Sequence, residues 1–342
     1  MGHNVLVASN GDFWKNYPRD IDLKRKPGKW GGISLLTKVS TLLSTWRDYD
    51  IVQIINPMFL ELKAERIKYI YDYLRRNNLR MVLGAFGMDY YWVNTCVKEK
   101  PLRYSDFNIG EDLRTNADAL KERADWTGTA KQQLNCHITE TCNGIVAGLY
   151  EYWVCYQKHM PEKTTFIPYP IEVPESRIRP FDGTLRVFIG INETRNEYKG
   201  TDIMLAAAEK VAERHPGRLE LNVARSVPFE EYQRLMDGCD AMLDQLYSYT
   251  PSMNSLLAMS KGIICIGGGE PENYEILDEK ELRPIINVQP SQKSVEDALE
   301  RLLADPSRID QMKLDSIAYV RKHHDFISVA RRYVDFYKSL LP

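Results

Sequence analysis

The stretch Asp240–Leu277, DAMLDQLYSYTPSMNSLLAMSKGIICIGGGEPENYEIL, decides how the chain is organised. An apolar run from Ala241 to Leu246 stops at a polar loop, Tyr247 to Ser252. Met253, Leu256, Leu257 and Ser260 then follow at spacings of 3, 4 and 7, the signature of a helix face. Gly262 stands where a helix ends, and Ile263 to Ile266 reads as a short buried strand. Three glycines, Gly267 to Gly269, open a loop before a further helix start near Asn273. Strand, loop, helix, strand and glycine loop make a βαβ unit with two exposed loops on one edge. Open parallel sheets bind ligands at that edge, because helix N-termini and bare backbone amides converge there on an anion.

Outward from this unit, the second half alternates strictly. Strands are expected at Leu185 to Gly190, Leu219 to Ala224 and Pro284 to Val288, with helices at Thr201 to Arg214 and Pro228 to Gly238. Thr201 is the expected N-cap of the first helix. The first half opens with an apolar strand, Asn4 to Ala8, followed by a long loop rich in aromatics and cations that Gly31 and Gly32 close. Strands at Asp50 to Ile55, Arg80 to Ala85, Asn143 to Ala147 and Thr165 to Ile171 follow. The stretch Leu102 to Gln133 is polar and reads as mostly helical, an excursion over the acceptor side. A Pro-rich charged linker, PESRIRPFDGTL, marks the boundary. The fold class is α/β, with two Rossmann-like parallel-sheet domains. The expected division is 1–172, 173–325, and a final amphipathic helix, 326–342, crossing back to the first domain.

Composition bounds the function. The chain has 342 residues, a net charge of -2, 44% hydrophobic and 27% charged residues. A near-neutral chain is not built for nucleic acid, whose phosphates demand a basic face. No apolar run approaches the roughly 18 residues of a membrane span, and no secretory segment is evident, so a cytoplasmic protein is expected. The six cysteines lack CxxC pairs and the six histidines lack zinc spacing, which leaves no metal site. Peripheral contact with the inner face of a membrane is open to the Trp14–Trp30 loop, where Lys15, Arg19, Lys24, Arg25, Lys26 and Lys29 interleave with aromatics. The alternative is a plain solvated loop.

Candidate site residues cluster at the predicted sheet edge. Arg195 and Lys199 lie between a strand and a helix start, where cations suit a diphosphate leaving group; the alternative for Lys199 is a solvated loop lysine. Gly32 would let a backbone amide approach a phosphate across the cleft. Asp89, in the glycine- and aromatic-bearing stretch GAFGMDYYW, is a candidate for orienting an acceptor. Glu270 and Glu272 flank Pro271 on the glycine loop, either orienting sugar hydroxyls or simply charging a helix N-terminus.

These motifs, in the order G…R…KGTD, DxxLDQ, YTPxMNxLxAMxKG and GGxEPE, resemble the nucleotide-sugar-binding domain of GT-B glycosyltransferases of group 1, the glycogen-synthase-like retaining family. The resemblance covers residues 185 to about 330. The first half fits the family's acceptor domain more loosely, through its opening strand, Gly31–Gly32, Asn56–Pro57, Gly87–Asp89 and Ile167–Ile171. The resemblance implies two domains facing a cleft, a nucleotide-sugar donor on the second, no metal or other cofactor, and transfer to an acceptor hydroxyl with retention. By position, Arg195 and Lys199 would hold the diphosphate. Tyr249, Thr250, Ser252, Met253, Asn254, Ser255, Gly268 and Glu272 would line the donor site. The acceptor would be a glycan, a lipid-linked molecule or a small molecule, as in polysaccharide or glycolipid synthesis.

The chain departs from the family at three points. Tyr249 and Leu257 stand where the family places two glutamates eight positions apart, and Ile191 and Asn192 stand where it places an arginine. Leucine cannot accept hydrogen bonds from ribose hydroxyls. Two further readings therefore stand beside the transferase: a degenerate GT-B protein that binds nucleotide or glycan without turnover, and a GT-B sugar-nucleotide epimerase.

Overall fold

The computed structural model describes residues 2–11, 16–175 and 178–342. Strands are numbered along the chain: β1 (Ala8–Ser9), β2 (Ile21–Asp22), β3 (Ile51–Ile54), β4 (Arg80–Ala85), β5 (Asn108–Ile109), β6 (Asp112–Leu113), β7 (Gly144–Ala147) and β8 (Thr164–Phe166) belong to the first half. The second half holds β9 (Leu185–Ile191), β10 (Leu219–Arg225), β11 (Ala241–Leu243), β12 (Ile264–Gly267) and β13 (Ile286–Asn287).

Two parallel sheets carry the architecture. One has the order β3-β4-β7-β8, the other β10-β9-β11-β12-β13. Parallel strands covered on both faces read as continuous apolar runs. That is why Val187, Ile189, Leu243, Ile264 and Ile266 are all buried, beneath Met204, Ala208 and Val211 of one helix and Val295 and Leu299 of another. Burying each such side chain contributes about 1.5–3 kcal/mol.

The segment Asn4 to Ala8 departs from expectation. Only Ala8 lies in a strand, and β1 pairs with β2 in a separate two-stranded sheet. Its backbone bonds explain the difference: Val7 O accepts from Asp20 N and Ile21 N, and Val7 N donates to the Asp20 carboxylate. Val5 is 75% exposed as a result. A second departure lies in Leu102 to Gln133. Its first part is not helical; it carries the β5–β6 hairpin and buries Leu102, Tyr104, Ser105, Phe107 and Asn108. Thr201 also differs, being the first helical residue with its hydroxyl bonded to Asn196, while Gly200 in the left-handed conformation takes the cap position.

The final helix, Phe326–Leu340, packs on the first sheet. Val329 is buried with Val82, Val146 and Ile167, and Tyr337 donates to Gln53 at 2.6 Å. The preceding helix, Ile309–His323, packs Tyr319 and Val320 into the second half with Leu256 and Met259. The joint between them is tied by Ile171 N donating to His324 O at 2.8 Å. No helix among the described residues is long and apolar enough to cross a membrane. The six cysteines are all free thiols, and the described residues contain no group of three or more His, Cys, Asp or Glu side chains able to hold a metal.

Candidate functional site

In the second sheet the chain steps from β9 outward to β10, then crosses back to β11 and continues through β12 to β13 on the other side. The loops leaving the neighbouring strands β9 and β11 therefore lead the chain toward opposite edges of the sheet. A doubly wound sheet opens its ligand crevice at that switch point.

The loop after β9 carries a short turn, Glu193–Arg195, and one helical turn, Asn196–Lys199, before Gly200 at φ 71°. A Cβ on Gly200 would stand 2.7 Å from the Leu246 Cβ and 2.8 Å from the Tyr247 ring, so this position demands glycine. The contact joins the two loops, and Lys199 O accepts from Leu246 N at 3.0 Å. Arg195 is exposed, its guanidinium 4.8 Å from the Tyr198 ring centroid. Lys199 is half-buried at the end of its turn, next to the N-terminus of the helix Thr201–Arg214. The two cations thus share one loop beside a helix N-terminus that favours anions.

The loop after β11 is built on Asp244, which accepts from the Ser252 hydroxyl at 3.1 Å. Ser252 precedes the helix Met253–Ser260; Met253 and Asn254 are half-buried, and Ser255 is fully buried with its hydroxyl 3.4 Å from that of Ser252. Tyr249 and Thr250 are both buried. The loop after β12 packs directly on this one. A Cβ on Gly268 would lie 2.4 Å from Ser248 O, so close backbone approach explains the glycine.

What sequence reasoning missed is how the first domain grips these loops. Glu151, in the first turn of the helix Tyr150–Gln157, accepts from Ser248 Oγ at 3.0 Å, Tyr249 N at 2.7 Å, Thr250 N at 3.0 Å and Thr250 Oγ1 at 2.5 Å. Burial pushes its carboxyl above the usual range, and those donors pull it back. Arg103 spans Glu272 at 2.6 Å and Glu270 at 2.7 Å, and its backbone N donates to the Tyr249 hydroxyl at 2.6 Å. The Tyr104 hydroxyl also donates to Glu270, and Gln289 Nε2 donates to it at 2.8 Å. Burial by itself would raise the Glu270 carboxyl. Hydrogen bonds from Asn287, Tyr104 and Gln289, with the Arg103 charge, hold it below the usual range instead. Arg114, just past the β5–β6 hairpin, donates to Glu197 O at 2.8 Å and Tyr198 O at 3.0 Å, and lies 3.6 Å over the Tyr247 ring. Asp106 accepts from the Tyr198 hydroxyl at 2.7 Å.

Two candidates take other roles. Asp89 is fully buried and caps the helix Tyr90–Lys98: one oxygen accepts from Trp92 N, the other from the Tyr156 hydroxyl at 2.8 Å. Burial pushes its carboxyl up to about 7. It is a buried cap, not a free carboxylate awaiting an acceptor. Tyr249 stacks on Tyr150, packs against Tyr104, and spends its hydroxyl on Arg103, with burial pushing its phenol up to about 12. It rivets the domains together. Gly32 is the second residue of the helix Gly31–Leu42, and the nearest atoms to a Cβ there would belong to Arg25. It is its neighbour Gly31 that is sterically forced, since a Cβ there would stand 1.8 Å from Lys26 O.

No protein-family model matches the chain, and no curated protein matches it. Solved structures do. A variant of TarM from S. aureus, solved with fondaparinux, α-GlcNAc-glycerol and UDP, superposes with a TM-score of 0.60 at 8% identity, over 89% of this chain and 58% of that one. The chain thus spans little more than half the length of TarM. HepE from Anabaena, solved with UDP-glucose, gives 0.59 at 12% identity, over 95% of this chain and 87% of that one. WaaG, a glycosyltransferase involved in lipopolysaccharide biosynthesis, gives 0.51 at 13% identity, over 88% and 94%. At such identities the likeness is one of fold, and it runs across both sheets. The chain has the GT-B fold of glycosyltransferases, two Rossmann-like domains facing one another.

Proposed function

We propose that the chain is a nucleotide-sugar-dependent glycosyltransferase. It moves a sugar from a nucleoside diphosphate to a hydroxyl of a glycan, lipid-linked or small-molecule acceptor, with retention at the anomeric carbon. The observation that carries this reading is the switch-point crevice of the second sheet, where the Arg195–Lys199 turn meets Leu246 and Tyr247 of the loop after β11 beside a helix N-terminus. HepE, which shares the fold, was solved with UDP-glucose.

In this reading Arg195 and Lys199 neutralise charge as it grows on the departing diphosphate. Ser252, Met253, Asn254 and Ser255, with the Gly268 backbone, border the sugar. Because protein cations serve that role, the reading calls for no metal or other cofactor, and turnover is expected to persist unchanged in excess chelator. The test is release of nucleoside diphosphate from UDP-, GDP- and ADP-sugars, with and without glycan and lipid acceptors. Neither transfer nor donor hydrolysis with any of them would sink the proposal. Retention is tested by the anomeric configuration of the product, read by NMR.

A second reading is favoured by Tyr249 and Glu270, whose polar groups are already engaged across the domain boundary. Here the chain is a degenerate GT-B protein that binds nucleotide or glycan without turnover. Nucleotide binding without any turnover would select it.

The reading also places the first domain against an anionic membrane surface. Trp30 and Ile33 are 78% and 56% exposed beside exposed Lys24, Arg25, Lys26 and Lys29, a mixture suited to a headgroup layer. Trp14 and Lys15 of the same loop lie outside the described residues. Co-sedimentation with phosphatidylglycerol vesicles but not with phosphatidylcholine vesicles is the expected outcome, and equal partitioning would refute it.

A further inference from the structure

We propose that the first domain gates the donor crevice with a clasp of its own side chains, and that a nucleotide binds only as the clasp opens. The inference rests on the donor reading above and adds a form of regulation to it.

All three loops of the crevice are gripped from across the domain boundary. Glu151 takes the turn Ser248–Thr250, Arg103 and Tyr104 take Glu270 and Glu272, and Arg114 takes the turn Glu197–Tyr198 and covers Tyr247. The Glu151 contact is the most telling. Its carboxylate is buried, and none of the ion pairs among the described residues involves it. A buried carboxylate without a cation persists only where hydrogen bonds replace water. Two backbone amides and two hydroxyls supply them here. The turn's amides and hydroxyls thus already hold a carboxyl group, and that group belongs to the chain itself.

The competition follows from hydrogen-bond capacity. An amide N–H donates once, so Tyr249 N and Thr250 N cannot serve Glu151 and a ligand together. The Glu272 carboxylate accepts from both ends of the Arg103 fork, at 2.6 and 3.1 Å, and Glu270 is already engaged by Arg103, Tyr104, Gln289 and Asn287. A ligand drawing on these groups meets a protein whose competent state is only a fraction of the whole, and its apparent affinity falls by that fraction. Weakening the clasp therefore tightens binding. A clasp that merely props the loops in place would do the reverse.

The experiment is calorimetric titration of UDP, GDP and ADP into the parent chain and into the Arg103→Ala and Glu151→Gln variants. The Arg103 side chain is 55% exposed, so its truncation leaves the core intact, and Glu151→Gln keeps the shape. Thermal melts confirm folding, and if Glu151→Gln fails to fold, Arg103→Ala decides alone. Expected is at least a roughly tenfold tighter Kd for the preferred nucleotide in each folded variant, the scale set by removing charge-assisted hydrogen bonds. Hydrogen exchange at the Tyr249 and Thr250 amides should also accelerate in Glu151→Gln. Binding by the parent with equal or weaker binding by the variants would overturn the clasp while leaving the donor site standing. Absence of binding by parent and variants alike would overturn the donor reading and the gate together.

Discussion

Two buried groups give this protein opposed dependences of stability on pH, and single substitutions should separate them. His324 sits at the joint between the two last helices, with Nδ1 on Tyr169 O at 2.9 Å and Nε2 buried without a partner. Burial first, then the neighbouring His323 and Arg332 charges, pushes its imidazole down from 6.5 to about 4. Between those values the unfolded chain holds a proton that the native chain refuses. Stability therefore rises with pH, the gain is complete above 6.5, and it is lost as pH falls toward about 4. At about 1.4 kcal/mol per pH unit for one proton, the interval amounts to about 3 kcal/mol. Asp89 runs the other way. Burial pushes it from 3.8 to about 7 against the bonds from Trp92 and Tyr156, so the native chain keeps a proton that the unfolded chain releases. Its contribution is complete below 3.8 and is lost as pH rises to about 7, a span of about 4 kcal/mol. Urea unfolding followed by circular dichroism at pH 4.5, 5.5, 6.5 and 7.5 would compare the parent with His324→Gln and Asp89→Asn. Subtracting the parent curve removes every other titrating group. The stability of His324→Gln should fall relative to the parent as pH rises to 6.5, and that of Asp89→Asn should climb up to about 7. Curves parallel to the parent within about 0.5 kcal/mol would refute the argument.

Three further outcomes are expected. Lys313 is buried against Asp240 at 2.5 Å, and Asp240 also holds Arg179 at 3.1 Å; because Arg179 still compensates Asp240, Lys313→Met should cost about 1.5–3 kcal/mol in chemical denaturation, and a loss under about 0.5 kcal/mol would contradict the pairing. Gly268→Ala forces a methyl to within 2.4 Å of Ser248 O, whereas Gly267→Ala meets nothing closer than 3.3 Å; the first should lose about 1–3 kcal/mol of stability and weaken nucleotide binding, the second should do neither to a comparable extent. Val329→Asp, in the buried face of the final helix against Val82 and Val146, should detach that helix and cost more than about 3 kcal/mol, seen as a lowered Tm, and an unchanged Tm would place the helix elsewhere.

The second half was legible because its signals are local. Each strand of the second sheet is a short apolar run bounded by a turn, and the loops that follow lie on one edge once the strands are parallel. The three crevice loops follow from that alone. The first half resisted for different reasons. Asn4 to Ala8 has the composition of a core strand, but the bonds of Val7 go to Asp20 and Ile21, a pairing that residue spacing does not encode. Glu151 meets its four donors about 100 positions along the chain, and Arg103 meets Glu270 some 170 positions along. No motif records such distances. Two features of the first half, by contrast, do carry local signals. Asp89 directly precedes the helix Tyr90–Lys98, as an N-cap does. Gly110–Glu111 separates β5 from β6 as a two-residue hairpin turn, with Gly110 at φ 57°. The first marks Asp89 as a helix cap, and the second takes the 102–114 excursion out of the helices.

The central claim is that a nucleoside diphosphate sits at the switch point of the second sheet, against the turn that ends in Lys199. Calorimetric binding of UDP, GDP and ADP to the parent chain and to Lys199→Ala tests it most directly. The account predicts that the parent binds one of the three and that Lys199→Ala loses at least about tenfold in affinity, as expected for a charge-assisted phosphate contact. Equal binding by both proteins would contradict it and move the phosphates away from this loop.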